Sequence, residues 1–161
     1  MPKATLPTKA LAESIKTTLC ELAKDPSRFN GKMVSFRASI IGGRRGQEIT
    51  LEDFTIREGC SAYMNIIMEM PVKVKPKPNF SFENDFSYQK FQAALREPVT
   101  IDATVDGRFD ASFVWKNKMR LRVGEGNGFG RKHRAEGRLV VVRLSGVITH
   151  LRVPALVNNT Q

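Results

Sequence analysis

The sequence predicts a single mainly β domain: a five-stranded Greek-key barrel with two helices and a long basic hairpin insertion. Its 161 residues suffice for one domain and are too few for two ordinary ones. With 41% hydrophobic and 26% charged residues, the composition is typical of a globular protein. Four segments alternate apolar and polar residues, as half-buried strands do, a fifth is apolar on both faces, and no apolar run is long enough to span a membrane. We therefore expect no membrane insertion.

The first half of the chain predicts one helix and three strands. Apolar residues at helical spacing predict a helix over residues 8–24, and the Asp-Pro pair that follows ends it. Alternating residues predict strands at 33–41, 49–52 and 61–70. Prolines interleaved with lysines at 71–78 predict an extended basic linker that is neither helix nor central strand.

The second half predicts one helix, two strands and the insertion. A helix is expected at 85–96, followed by a strand at 99–106 with an outward row of aspartates. The fifth strand, 138–148, is apolar on both faces in its first half, which predicts that another segment covers each side. Between these two strands lies a long basic insertion at 107–137, and residues 149–161 form a tail.

Three strands, a helix and two further strands follow each other in the connection order of the OB-fold. We therefore expect a single domain over residues 1–161, with the N-terminal helix in front of an OB-like barrel at 33–148. In that fold, ligands bind on strands two and three, between the loop that joins strands one and two and the loop that joins strands four and five.

The net charge of +10 is concentrated near the carboxyl end, because ten basic and only two acidic residues follow residue 110. Such a segment indicates a polyanionic partner, or serves solubility alone. In the fourth strand, Asp102 and Asp106 are expected to be solvated and to face outward. A polyanion should therefore lie toward the insertion and away from these two carboxylates.

Basic and aromatic residues fall in the two loops that flank the expected groove. Basic groups contact phosphates and aromatic rings stack on bases, which is how sequence-tolerant single-strand binders work. The predicted nucleic-acid-binding residues are Arg44, Arg45, Tyr63, Trp115, Lys116, Lys118, Arg120, Arg122, Phe129, Arg131, Lys132 and Arg134. Those around Trp115 are expected on a hairpin arm. The alternative is that Phe113 and Trp115 only attach this arm to the barrel.

No pattern in the sequence indicates catalysis, a cofactor or a metal. The two histidines, His133 and His150, have no convincing partner, and the glycine run at 124–130 fits neither phosphate-loop motif. We therefore predict a non-enzymatic protein. Cys20 and Cys60 lack the spacing of a zinc site, which leaves two reduced thiols or a single disulfide.

Several short motifs resemble small, mostly uncharacterised bacterial OB-like proteins. The likeness begins at residues 18–38, where a helix bearing a cysteine leads through Asn-Gly-Lys into the first strand. It continues with Cys60 after the second strand and with the Gly-Arg-Phe and Gly-Phe-Gly motifs at 107–109 and 128–130. Such relatives are often exported, so the resemblance implies a disulfide between Cys20 and Cys60.

Two functions therefore remain open. The first is a nucleic-acid-binding module that prefers single-stranded DNA or RNA. The second is an exported or envelope-associated accessory protein that binds another protein or an anionic envelope component. The sequence shows no signal peptide, which predicts a cytoplasmic protein. If the natural protein carries a signal peptide ahead of these residues, an exported protein is expected instead.

Overall fold

The protein is mainly β. A computed structural model describes residues 14–42, 48–52, 60, 64–97, 99–123, 128–130 and 134–151. The helices and strands, in chain order, are β1 (Ile15–Lys16), α1 (Leu19–Lys24), α2 (Pro26–Phe29), β2 (Met33–Gly42), β3 (Ile49–Glu52), β4 (Ile66–Glu69), a 3-10 turn (Pro71–Lys73), α3 (Phe86–Ala94), β5 (Val99–Ala111), β6 (Phe113–Lys116), β7 (Met119–Arg122) and β8 (Gly137–Leu151). Among these residues, no helix has the length and apolar character that crossing a membrane requires.

Six strands form one mixed sheet. β2 pairs with β3 and β3 with β4, all antiparallel, and β4 then pairs in parallel with β8. β8 is antiparallel to β5, and β5 is antiparallel to β2, so the ladder returns to the strand from which it started. β1 lies parallel to β2, and β6 with β7 forms a separate hairpin. The predicted fold class, mainly β, is confirmed.

The core lies inside this ladder and follows the alternation of the strands. In β2, Val34, Phe36, Ala38 and Ile40 are all buried, as the period-two pattern predicts. α3 contributes Phe91, which is 2% exposed, to the same cluster. Burying a side chain of this size contributes about 1.5–3 kcal/mol, so these alternating positions fix the register of the sheet.

A second apolar layer lies on the outer face of β4 and β8. Ile67, Val140 and Val142 point away from the core yet are buried. The segment between β4 and α3 covers them: its Val74 is 2% exposed, and the Glu83 N–H donates to the Val142 carbonyl at 2.8 Å. The prediction that the start of the fifth strand is covered on both sides is therefore confirmed. The extended linker predicted at 71–78 is wrong at its start, which is a 3-10 turn.

The helix predicted at 8–24 is found at its end, as α1, and is wrong at residues 14–18. Ile15 and Lys16 instead pair with β2, and α1 begins at Leu19. The Thr18 side chain accepts a hydrogen bond from the Glu21 N–H at 3.1 Å, which is an N-cap and so begins the helix there. Positions 8–13 of that prediction lie outside the described residues.

The other predicted elements are found with shifted ends. The third strand, predicted at 61–70, is Ile66–Glu69 in the described part. The fourth and fifth strands are longer than predicted, because β5 continues to Ala111 and β8 continues to Leu151. The first three residues of the predicted tail therefore belong to β8.

Register shifts in the β5–β8 ladder leave backbone carbonyls that other elements satisfy. Gly146 adopts φ 56°, a left-handed conformation that glycine adopts without strain. Its carbonyl accepts from Arg37 Nη2 at 3.1 Å, and the Val147 carbonyl accepts from Lys90 Nζ at 2.9 Å. These bonds connect β8 to β2 and to α3.

The structure joins Cys20 of α1 to Cys60 in a disulfide that closes a 40-residue separation. A loop of this length restricts the unfolded chain, which typically adds about 2–4 kcal/mol to the free energy of unfolding.

We expect a Cys20→Ser/Cys60→Ser variant to lose about 2–4 kcal/mol of the free energy of unfolding, measured in urea. A reducing agent should lower the stability of the wild type by the same amount and leave the variant unchanged. A variant as stable as the oxidised wild type would contradict the expectation.

Candidate functional site

The basic insertion forms a two-stranded arm, as predicted. β6 and β7 pair antiparallel, with Trp115 opposite Arg120 and Lys116 opposite Met119. Lys118 lies in the turn between the two strands. It and the preceding asparagine have φ values of 63° and 51°, the left-handed pair of a type I′ turn. This turn matches the twist of the strands and stabilises a narrow hairpin.

Ser112 and Glu136 fix the base of the arm. The N–H and Oγ of Ser112 both donate to the Glu136 carbonyl at 2.8 Å. The Glu136 carboxylate lies 3.2 Å from Arg120 Nη2. The backbone N–H of Glu136 donates to the Asn65 carbonyl at 2.9 Å. The arm is therefore attached where β5 ends, just before β4 and β8 begin. Sequence reasoning missed both residues, because neither lies on an apolar or a basic stripe.

One face of the arm combines aromatic rings with arginines. Directly opposite residues of an antiparallel pair share a face, which places Phe113, Trp115, Arg120 and Arg122 together. The Phe113 and Trp115 rings meet edge to face at 5.5 Å, and the Arg120 guanidinium lies 4.1 Å from the Phe113 centroid. Phe113 is 5% exposed and holds the arm in place, whereas Trp115 is 48% exposed. Phe113 thus fits the attachment alternative, and half of Trp115 remains open to solvent.

A cavity of about 290 Å³ opens on this face. It is lined by Ser112, Phe113, Arg120 and Arg122. These residues supply a hydroxyl, an aromatic wall and two planar guanidinium groups. Guanidinium groups bind phosphate through forked hydrogen bonds and stack on aromatic planes, so the lining suits a ligand that is both anionic and aromatic.

The predicted nucleic-acid-binding residues separate into three groups. Those brought together on the arm are Trp115, Lys116, Lys118, Arg120 and Arg122. Two more, Phe129 and Arg134, lie in the segment that precedes β8. The predictions that lie outside the described residues are Arg44, Arg45, Tyr63, Arg131 and Lys132.

The segment before β8 is held against the sheet. The Phe129 N–H donates to the Ala135 carbonyl at 2.8 Å, and the Arg138 guanidinium lies 4.5 Å from the Phe129 ring centroid. Arg138 also pairs with Asp110 at 2.7 Å and with Glu69 at 3.7 Å. Arg138 is therefore neutralised within the protein. One face of the Phe129 ring is covered by a guanidinium.

The outward aspartates of β5 are not simply solvated, which corrects the sequence prediction. Asp106 is 4% exposed and lies 3.6 Å from Arg143 Nη2. Asp102 accepts from Ser39 Oγ at 2.6 Å and lies 3.1 Å from His150 Nε2, so His150 has a partner after all. The carboxylate stands between the hydroxyl and the imidazole, so His150 does not activate Ser39 as the histidine of a catalytic triad activates its serine. Among the described residues, no group of three metal-ligating side chains could hold a metal ion.

The packing of Phe113 should be visible in the fluorescence of Trp115, the single tryptophan of the chain. We expect Phe113→Leu to remove the edge contact, shift the Trp115 emission to the red, and lower the free energy of unfolding by about 1 kcal/mol. Met119→Ala on the opposite face is the control and should leave the emission unchanged. An unshifted emission in Phe113→Leu would show that the ring does not hold Trp115.

No protein-family model, curated protein or solved structure matches this chain. The resemblance to bacterial OB-like proteins therefore stays a prediction. The functional argument depends on the geometry of the arm.

Proposed function

We propose that this chain is an OB-fold protein. The pairing order β2, β3, β4, β8, β5 and back to β2 supports the assignment, since a five-stranded Greek-key barrel closes in this way. The helix α3 supports it as well, because it lies between β4 and β5, the third and fourth barrel strands in chain order. In this assignment the arm belongs to the loop between strands four and five, which in OB-folds contributes to the ligand site.

We propose further that the protein is a non-enzymatic module that binds single-stranded nucleic acid through the arm. The half-exposed Trp115 carries this proposal, because it stands among cations that are free to contact phosphates. In the described part of the chain, no carboxylate forms an ion pair with Lys116, Lys118 or Arg122. A base stacked on the indole would have its backbone on the face that Arg122 shares with Trp115, with Lys118 in the adjacent turn.

The outer face of β3 and β4, where OB-folds usually bind, is less suited to a polyanion. By alternation with the buried Leu51, Ile66 and Met68, three carboxylates lie on that face: Glu48, Glu52 and Glu69. Gly130 also approaches the Glu48 carboxylate so closely that a Cβ there would collide with it. Glu69 is paired with Arg138, but Glu52 forms no ion pair in the described part of the chain, and repulsion from it favours a binding path along the arm rather than along the strands.

Stacking on Trp115 should account for a measurable share of the affinity. In fluorescence anisotropy with a labelled single strand of about 16 nucleotides, we expect Trp115→Ala to weaken binding by about 1–3 kcal/mol, the usual effect of losing one stacked base. Trp115→Phe retains a π-face and should keep most of the affinity. Equal losses in the two variants would contradict stacking.

Phosphate contacts should make the binding salt-dependent. Between about 50 and 200 mM salt, log K should fall linearly with log salt, and Arg122→Gln should reduce the slope by about 0.7 for its lost phosphate. Duplex DNA of the same length serves as the competitor that tests the strand preference. No binding at 50 mM salt, or a signal that salt does not alter, would overturn the proposal.

The disulfide favours a second candidate, an exported or envelope-associated accessory protein. Disulfides persist in oxidising compartments and are rare in the cytosol. In that case, the basic arm would bind another protein or an anionic envelope component. A thiol titration of unreduced protein from the native host tests this: two free thiols would remove its support.

A further inference from the structure

The segment that joins β4 to α3 carries lysines that the arm does not use. We call residues 71–78 the lysine strap. Its buried side chains are Pro71, Val74 and Pro78, and its exposed ones include Lys73, Lys75 and Lys77. These three buried side chains are turned toward the sheet, whereas the lysines, like Val72 and Pro76, are exposed, so the strap presents three positive charges to solvent.

The strap is held in a fixed position. The Val74 N–H donates to the Pro71 carbonyl at 3.2 Å, which closes the 3-10 turn. Just after the strap, the Phe80 ring lies 6.0 Å from the Arg108 guanidinium of β5. Because this backbone is already ordered, binding through the lysines costs less conformational entropy than binding through a free tail.

The sheet beneath the strap does not neutralise these lysines. Three of its outer carboxylates are already paired with arginine: Glu69 with Arg138, Asp110 with Arg108 and Arg138, and Asp106 with Arg143. These three carboxylates therefore have partners other than the lysines of the strap. In the described part of the chain, no carboxylate forms an ion pair with a lysine of the strap, and its three charges remain uncompensated.

The strap and the arm are connected through β5. Phe80 lies against Arg108, five residues before Phe113, where the arm begins. Five residues of extended chain span about 17 Å. A single strand of several nucleotides is long enough to contact the arm and this part of the surface together, because one OB-fold covers roughly 4–16 nucleotides.

We propose that the lysine strap is a second phosphate-binding surface for the same single strand. This inference rests on the proposed function: bases stack at Trp115, and the backbone continues to Lys73, Lys75 and Lys77. Lysine contacts phosphate as a point charge and reads no base. The strap therefore contributes affinity and salt dependence without sequence preference.

A salt titration with matched triple variants tests the strap. With a labelled single strand of about 16 nucleotides, Lys73→Gln/Lys75→Gln/Lys77→Gln should reduce the slope of log K against log salt by about 2, or about 0.7 for each lost phosphate contact. The control is Lys16→Gln/Lys24→Gln/Lys32→Gln, which removes the same charge from exposed positions elsewhere and should leave the slope unchanged.

An amine-reactive footprint of the wild type gives a second measurement that does not depend on variant folding. Bound oligonucleotide should protect the strap lysines and leave the control lysines reactive. If the wild type binds but both triples behave alike and the strap lysines stay reactive, the strap inference is overturned and the arm stands. If the wild type binds no single strand, the proposed function fails and the strap inference fails with it.

Discussion

The long antiparallel ladder between β5 and β8 is the interaction on which the rest of the structure depends. β5 is paired on its other edge with β2, and β8 on its other edge with β4, so this ladder joins the two halves of the sheet. It also depends on two glycines. A Cβ at Gly107 would collide with the Val140 carbonyl, and one at Gly137 would press on the Phe109 ring. A side chain at Gly107 would push against the backbone of β8, and one at Gly137 would displace core side chains.

The ladder also determines where charge is left over. Where it ends, Asp110 lies opposite Arg138, and Ala111 lies opposite Gly137, immediately before the arm. On the outer face of the ladder, Asp106 and Asp110 pair with neighbouring arginines, and Asp102 lies 3.1 Å from His150 Nε2. The uncompensated cations of the described chain therefore include those of the two segments that leave the sheet, the arm and the strap.

The sequence predicts the strands well and their partners poorly. Alternation identifies β2, β3 and β5 because one face of each is buried, and the hairpin arm follows from two facing alternating limbs. The same pattern misplaces Asp106, since a polar residue on an outer row looks solvated until a partner such as Arg143 is known. The first helix is overextended because Ile15 has helical spacing, but it packs at the edge of the sheet instead. Ser112 and Glu136 carry no periodic signal, so their part in attaching the arm emerges only from the fold.

The two-residue strand β1 has a consequence for how copies of this chain behave together. The first half of β2 pairs with β5 on one side, and β3 reaches β2 only from Ser39 onward. Ile15 and Lys16 therefore cover a stretch of backbone at Val34 and Ser35 that would otherwise be an open sheet edge. Open edges recruit strands from other molecules and start aggregation. By covering this edge, Ile15 and Lys16 disfavour its pairing with a strand of another molecule.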